Sequence, residues 1–295
     1  MMSNPLRLLL TSVLLLSQWG GVYADDEPNA LQRVQQKGVL EVAVYQSLPP
    51  YSFREEGRIV GVDADVARAL AAQLGVAASI RAVGADENME DDLRNNVWKG
   101  HYLGGGVADL MLHVPFDPEF AQENDRALFL APYFREQLVV AIGNLQGGRR
   151  ADPFELFTEA KVGVELDTLA DFYLLSAYAG RIREQVVHFN NYTEAVAALK
   201  AGELAGVVGP RGEVEFAIGD ARQDYSVGPV QMPGLRQTGW DLGGAVKVGN
   251  DALASALIDA MRAIRADGTL ATIFEQYGIT YQQPSRLDDR IQVAD

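Results

Sequence analysis

The stretch Asp91 to Tyr133, DDLRNNVWKGHYLGGGVADLMLHVPFDPEFAQENDRALFLAPY, decides how the rest of the chain is read. Met89, Leu93 and Val97 recur four apart just before and inside it, which predicts a short amphipathic helix. Gly104, Gly105 and Gly106 then form a glycine-rich loop, and Asp109-Leu-Met-Leu-His-Val114 reads as a buried strand. Phe129-Leu-Ala-Pro-Tyr133 closes the stretch and leads into a second apolar run, Gln137 to Ile142.

Working outward, strands alternate with helices. Leu31 and Val34 lie at helical spacing ahead of Gly38, a C-cap signal, and Val39 to Tyr45 follows as a strand. Pro49-Pro50-Tyr51-Ser-Phe53 and a turn at Glu56-Gly57 precede Gly61-Val-Asp63, which opens a helix carrying Val62, Val66, Leu70 and Leu74. Ala78 to Val83 is the second strand. A second series begins at Asp152-Pro153, an N-cap with proline in the first turn. Lys161 to Leu166 reads as a strand and Thr168-Leu-Ala-Asp171 as a capping box. Val186 to Phe189 is a strand, Glu194 to Lys200 a helix, and Leu204 to Val208 a strand. The chain then runs extended over Tyr225 to Val230, forms a strand at Leu242 to Val248 and ends in two helices divided at Asp267-Gly268. Such alternation predicts parallel sheets covered on both faces. Residues 282–295 are polar and read as a mobile tail.

Composition narrows the function. The 295 residues are 48% hydrophobic and 22% charged, enough for one large or two medium domains. A formal charge of −15 disfavours nucleic acid as a partner. Arg7, the apolar Leu8 to Leu16 and Val22-Tyr-Ala24 read as a signal peptide over residues 1–24, cleaved after Ala24. That apolar run is shorter than the roughly 20 residues a membrane-spanning helix needs, so an exported periplasmic protein without a span is expected. With no cysteine, thiol catalysis, disulfides and Cys-based zinc sites are excluded.

In its order of elements the chain resembles the periplasmic solute-binding proteins of family 3, the polar amino-acid receptors. The proline-aromatic loop, Gly61-Val-Asp63, the central stretch and the ending Asp267-Gly-Thr-Leu-Ala-Thr-Ile-Phe-Glu-Gln-Tyr-Gly278 carry the likeness, from about Asn29 to Tyr277. The resemblance implies an α/β, two-lobed type 2 periplasmic binding protein whose second lobe is inserted into the first. Lobe 1 would comprise residues 25–139 and 236–295 and lobe 2 residues 140–235, joined by hinge strands near 137–143 and 225–235, with a ligand cleft between them.

Site positions depart from that family. Its T-x-x-R arginine falls on Glu123 here, and Arg126 lies one helical turn too late; its first-loop aromatic falls on Leu48, with Tyr51 three residues on. Gly202 to Gly209 lacks the acids usual there, and Asp167 puts a negative charge where a helix N-terminus would meet a ligand carboxylate. An ordinary α-amino acid is therefore not the expected ligand. The run Gly100 to Asp109 is longer than in the receptors. Asp91 to Asp117 with Ala131 to Glu136 resembles a narrower group, the MoxJ/XoxJ-like binding proteins associated with quinoprotein alcohol dehydrogenases. That likeness implies an accessory protein of a PQQ-dependent alcohol oxidation system, partnered by the dehydrogenase and its cytochrome c. The alternative is an importer receptor for a small solute, partnered by an ABC permease.

The cleft candidates are Tyr51, His113, Asp117, Arg126, Asp167, Thr168, Arg211 and Trp240. His113 with Asp117 makes the best polar pair, against the alternative of a hydrogen-bonded structural histidine. Trp98 reads as a core anchor and the triple glycine as a flexible loop. His101, His113 and His188 lack metal-site spacing, no cofactor is implied, and no nucleophile motif is present. An enzyme of dehydratase type would have to use His113, Asp117 and Asp167 as acid and base.

Overall fold

The computed structural model describes residues 27–143, 157–286 and 289–291. The expected signal peptide, residues 1–24, and Asp152-Pro153 lie outside them. The first lobe opens with α1 (Ala30–Lys37), closed at one end by an Asn29–Gln32 capping box and at the other by Gly38 at φ 70°. β1 (Val39–Tyr45), β2 (Phe53–Glu55), β3 (Arg58–Val60), α2 (Val62–Gln73) and β4 (Ala77–Val83) follow. Glycine is required at position 61, where φ is 118° and a Cβ would collide with the Tyr51 carbonyl. The helix expected around Val97 is α3 (Met89–Leu93), which continues as one π-helical turn, Arg94–Trp98. β5 (Leu110–Pro115), α4 (Pro118–Glu123) and the 17-residue β6 (Ala127–Gly143) complete the run.

β6 organises the molecule. Its first part pairs antiparallel with β11 (Gly239–Lys247), from Ala127–Lys247 to Gln137–Gly239. From Leu138 it pairs instead with β9 (Gly206–Pro210), and from Val139 also with β10 (Tyr225–Pro229). One continuous strand thus belongs to both lobes and changes partners at Gln137–Leu138, while the chain returns across the gap between Pro229 and Gly239. The sheet order is β4-β1-β5-β11-β6-β9-β7-β8, where β7 is Val162–Glu165 and β8 is Val186–Phe189. β1, β4 and β5 run parallel, as do β7, β8 and β9.

Helices cover both faces of each half, as parallel strands demand. α2, α8 (Asp251–Ala266) and α9 (Thr269–Gln276) bury Val66, Leu70, Leu257, Met261 and Phe274 against one face of the first lobe. Each fully buried side chain of this kind contributes about 1.5–3 kcal/mol. In the second lobe, α5 (Leu169–Ser176) covers one face; α6 (Tyr192–Lys200) and α7 (Arg211–Ile218) cover the other. Trp240 packs against a core cluster of each lobe, directly across the crossover from Glu136.

The polar tail is not free along its described length. Gln282 and Asp289 accept from the Arg135 and Ala131 amides, Ile291 donates to Phe129, and Ile291 itself is buried. The buried Asp241 carboxylate fixes it by accepting from the Ser285 amide (3.0 Å), the Ser285 hydroxyl (2.7 Å) and the Arg286 amide (3.0 Å). Polarity was legible in the tail; its docking along β6 depends on backbone groups and was not. Asp241→Ala should lower the free energy of unfolding by about 2–4 kcal/mol and speed proteolytic cleavage beyond Gln282. Denaturant titration with timed proteolysis measures both, and an unchanged cleavage rate would contradict the anchoring.

Candidate functional site

The C-terminal ends of β1, β5, β7, β8 and β9 and the crossover in β6 place one group of side chains between the lobes. Glu136, the residue before the crossover, is 2% exposed. One oxygen of its carboxylate accepts from the Gln137 and Arg211 amides, both at 2.8 Å. The other accepts from the Gly212 amide at 3.3 Å and from the Tyr51 hydroxyl in a short bond. Glu136 thus occupies the positive N-terminus of α7, where unpaired amides favour an anion. Position 212 must be glycine for this approach, because a Cβ there would stand on the Tyr51 hydroxyl.

The contact continues along α7. Arg211, itself buried, pairs with Glu215 at 2.8 Å, and the Gln137 amide oxygen, oriented by the network, accepts from its guanidinium. Glu215 also accepts from the Thr280 amide at 2.6 Å, Arg222 donates to the Gly278 carbonyl at 2.9 Å, and Phe216 meets Phe53 at a 5.8 Å ring separation. These bonds hold the second lobe's α7 against the first lobe.

Behind Tyr51 lies a largely buried polar cluster. His113, at φ 63°, has its ring 4.4 Å from that of Tyr51 and its Nδ1 3.1 Å from the fully buried Asp63. The Tyr133 hydroxyl donates to the other oxygen of Asp63 at 2.6 Å and accepts from the His113 amide. A buried carboxylate needs such donors. Asp63 belongs to the Gly61-Val-Asp63 segment that the sequence marks only as a helix start.

The opposite wall is built by the second lobe. Thr168 caps α5, accepting from the Asp171 amide, and its hydroxyl donates to the Glu165 carbonyl at 2.8 Å. The Asp167 amide donates back to Asp171, whose other oxygen meets His188 at 2.9 Å. At this helix start the Thr168 hydroxyl takes the Asp171 amide, and Asp171 takes the amide of Asp167 just before the cap. Near it stand Glu165 and, from the first turn of α7, Glu213. Burial pushes the Glu213 carboxyl well above the usual range, with Glu165 and Glu136 adding like-charge repulsion. Burial also raises Glu165, opposed by the Tyr192 amide, and raises Glu136, opposed by its four hydrogen bonds. The Tyr192 hydroxyl is buried and makes no hydrogen bond of ordinary geometry, although Thr168 and the Glu165 backbone lie near it.

Of the residues expected at the cleft, Tyr51 and Arg211 meet at Glu136, His113 stands behind Tyr51, and Thr168 lines the second-lobe wall. Asp167 is exposed beside it, and Trp240 lies opposite Glu136 at the crossover. Asp117 caps α4, accepting from the Glu119 and Phe120 amides, and Arg126 lies over the Trp98 ring at 4.8 Å. Neither is brought to this group. Glu136, Glu165, Glu213 and Tyr192 escaped the sequence reading. The one available signal was an acid interrupting the apolar run of β6. Among the described residues no three His, Cys, Asp or Glu side chains converge to hold a metal ion.

The raised carboxyl has a linkage consequence. Glu213 binds its proton more tightly folded than unfolded, so its effect on stability is least adverse at low pH and grows as pH rises above the ordinary carboxylate range. Glu213→Gln should therefore raise Tm near neutral pH while leaving it nearly unchanged at acid pH. Thermal unfolding across that range reads the sign, and a variant less stable at neutral pH would refute the assignment.

Comparison with known proteins agrees with the architecture. Residues 40–98 match the model for bacterial extracellular solute-binding proteins, family 3. The ABC transporter arginine-binding protein 1 of Escherichia coli K12 is 26% identical over 81% of this chain and 90% of its own. The L-cystine-binding protein TcyJ of the same strain is 24% identical over 86% and 87%. Among solved structures, an ancestral cationic amino acid solute-binding protein superposes with a TM-score of 0.67 at 20% identity, covering 84% of this chain and 99% of that one. A polar amino acid ABC uptake binding protein from Streptococcus thermophilus gives 0.66 at 18%, covering 86% and 92%. At such identities the superpositions speak for the fold alone. The chain thus carries a family 3 match over residues 40–98 and shares the two-lobed fold of solved solute-binding proteins.

Proposed function

We propose that the chain is the solute receptor of an ABC-type importer, and that the solute sits between Tyr51 and Glu136 on one side and Glu165, Thr168 and Tyr192 on the other. The observation that carries this reading is the contact of the α7 N-terminus with Glu136 and Tyr51 beside the crossover, where the two lobes touch. A solute that completes this contact favours the closed arrangement by its differential affinity for it. The relatives named for arginine and cystine support a small-molecule ligand. The solute is not an ordinary α-amino acid, because Arg126 is engaged over Trp98 and the N-terminus of α7 is taken by Glu136. A binding role also fits the acids expected of a dehydratase: Asp117 caps a helix and His113 is held by Asp63.

A second reading, an accessory role beside a quinoprotein alcohol dehydrogenase, rests on the inserted loop. There Tyr102 and Leu103 are 87% and 78% exposed, while Arg81 ties the loop's Gly105 and Gly106 carbonyls to β4. A thermal-shift screen of small metabolites, run beside a binding assay with purified dehydrogenase, separates the two. The importer reading expects a rise in Tm with a metabolite and no measurable dehydrogenase affinity. Gly212→Ala should disfavour closure and weaken the solute by at least about tenfold, roughly 1.4 kcal/mol, with little loss of either lobe's own packing. Calorimetry gives the affinity and solution scattering the lobe separation; unaltered values for both would refute the closure contact.

A further inference from the structure

We propose that the solute is an organic cation without a carboxylate, an amine or guanidine, whose charged end is received by Glu213, Glu165 and the Tyr192 hydroxyl. This rests on the importer reading and adds the chemistry of the ligand.

Two observations point to this corner. The Tyr192 hydroxyl is a buried polar atom that makes no hydrogen bond of ordinary geometry, with Thr168 and the Glu165 backbone near it, and such under-satisfied groups are rare. Its ring is wedged against Gly209, where any Cβ would strike it, so the hydroxyl is held in place at the ends of β7 and β9. Glu213 is the second: among the described residues it has no ion pair and no hydrogen-bonded donor, and it stands on the first turn of α7. The groups that face it are Glu136 from β6, Glu165 from β7, Tyr51 from the loop before β2 and Tyr192 from α6. None is basic. The nearest cation in sequence, Arg211, is turned to Glu215 and Gln137.

A positive ligand end is what this set lacks. An ammonium or guanidinium donates to the Glu213 and Glu165 oxygens and to the Tyr192 hydroxyl. A carboxylate on the same ligand would be repelled by Glu165 and Glu213, and the first amides of α7 already serve Glu136. The charge balance is closed by a proton. The raised Glu213 carboxyl is held protonated beyond the ordinary carboxylate range, so the cation displaces that proton to solvent on binding.

The test is calorimetry with agmatine, which carries an amine and a guanidine, against L-arginine, which adds a carboxylate. Agmatine should bind with proton release and tighten by up to about tenfold per pH unit while Glu213 is protonated in the free protein. L-Arginine should bind at least about tenfold more weakly. Glu213→Gln should remove both the affinity and its pH dependence. Tyr192→Phe, which deletes an unbonded hydroxyl, should leave Tm unchanged and weaken agmatine about threefold or more. L-Arginine binding as tightly as agmatine would overturn the proposal. So would agmatine affinity that ignores pH and Glu213→Gln, or that falls as pH rises. If only an uncharged solute binds, the cation site fails and the receptor reading stands. If nothing in the metabolite screen binds, both fall.

Discussion

Glu136 is a carboxylate placed where the main strand changes lobes, and its burial is tolerable only because four donors converge on it. Three are amides, two of them from the first residues of α7, and the fourth is the Tyr51 hydroxyl from the other lobe. A buried acid with fewer donors would be expensive. The requirement couples the position of α7 to the conformation of the Tyr51 loop and so to the distance between the lobes. Gly212 follows from it, because no side chain fits between the helix and the tyrosine. Trp240, across the strand pair from Glu136 and shared by two cores, makes the crossover a packed joint rather than a loose linker.

The same carboxylate decides the electrostatics of the cleft. Helix N-termini are natural anion sites, and a fold with two of them facing a cleft is suited to a carboxylate ligand. Here Glu136 occupies one of them, the start of α7, and Asp171 accepts from the amide just ahead of the other. The remaining acids, Glu165 and Glu213, then face one another and two tyrosines with no base among them. Under the proposed cation reading, an architecture shared with amino-acid-binding proteins carries a site of different charge. A fold does not by itself fix ligand chemistry when function resides in a few side chains on a common scaffold.

The sequence by itself determined the scaffold. Val39 to Tyr45, Gly61-Val-Asp63 and the helices split at Asp267-Gly268 announce their elements through periodicity and punctuation, which are local properties. The missing arginine at Glu123 was equally visible, since a required residue type either stands at its position or does not. The unanticipated helices were α4 and α7. Both are short helices beginning at or beside a proline, with too few turns to show a period. Tertiary structure alone decided the rest. Glu136, Glu165 and Glu213 are far apart in sequence and come together because β6, β7 and β9 are neighbours in one sheet, a long-range pairing that no local pattern encodes. The docked tail is the same case: its hydrogen bonds are to backbone, and a backbone amide looks alike in every sequence.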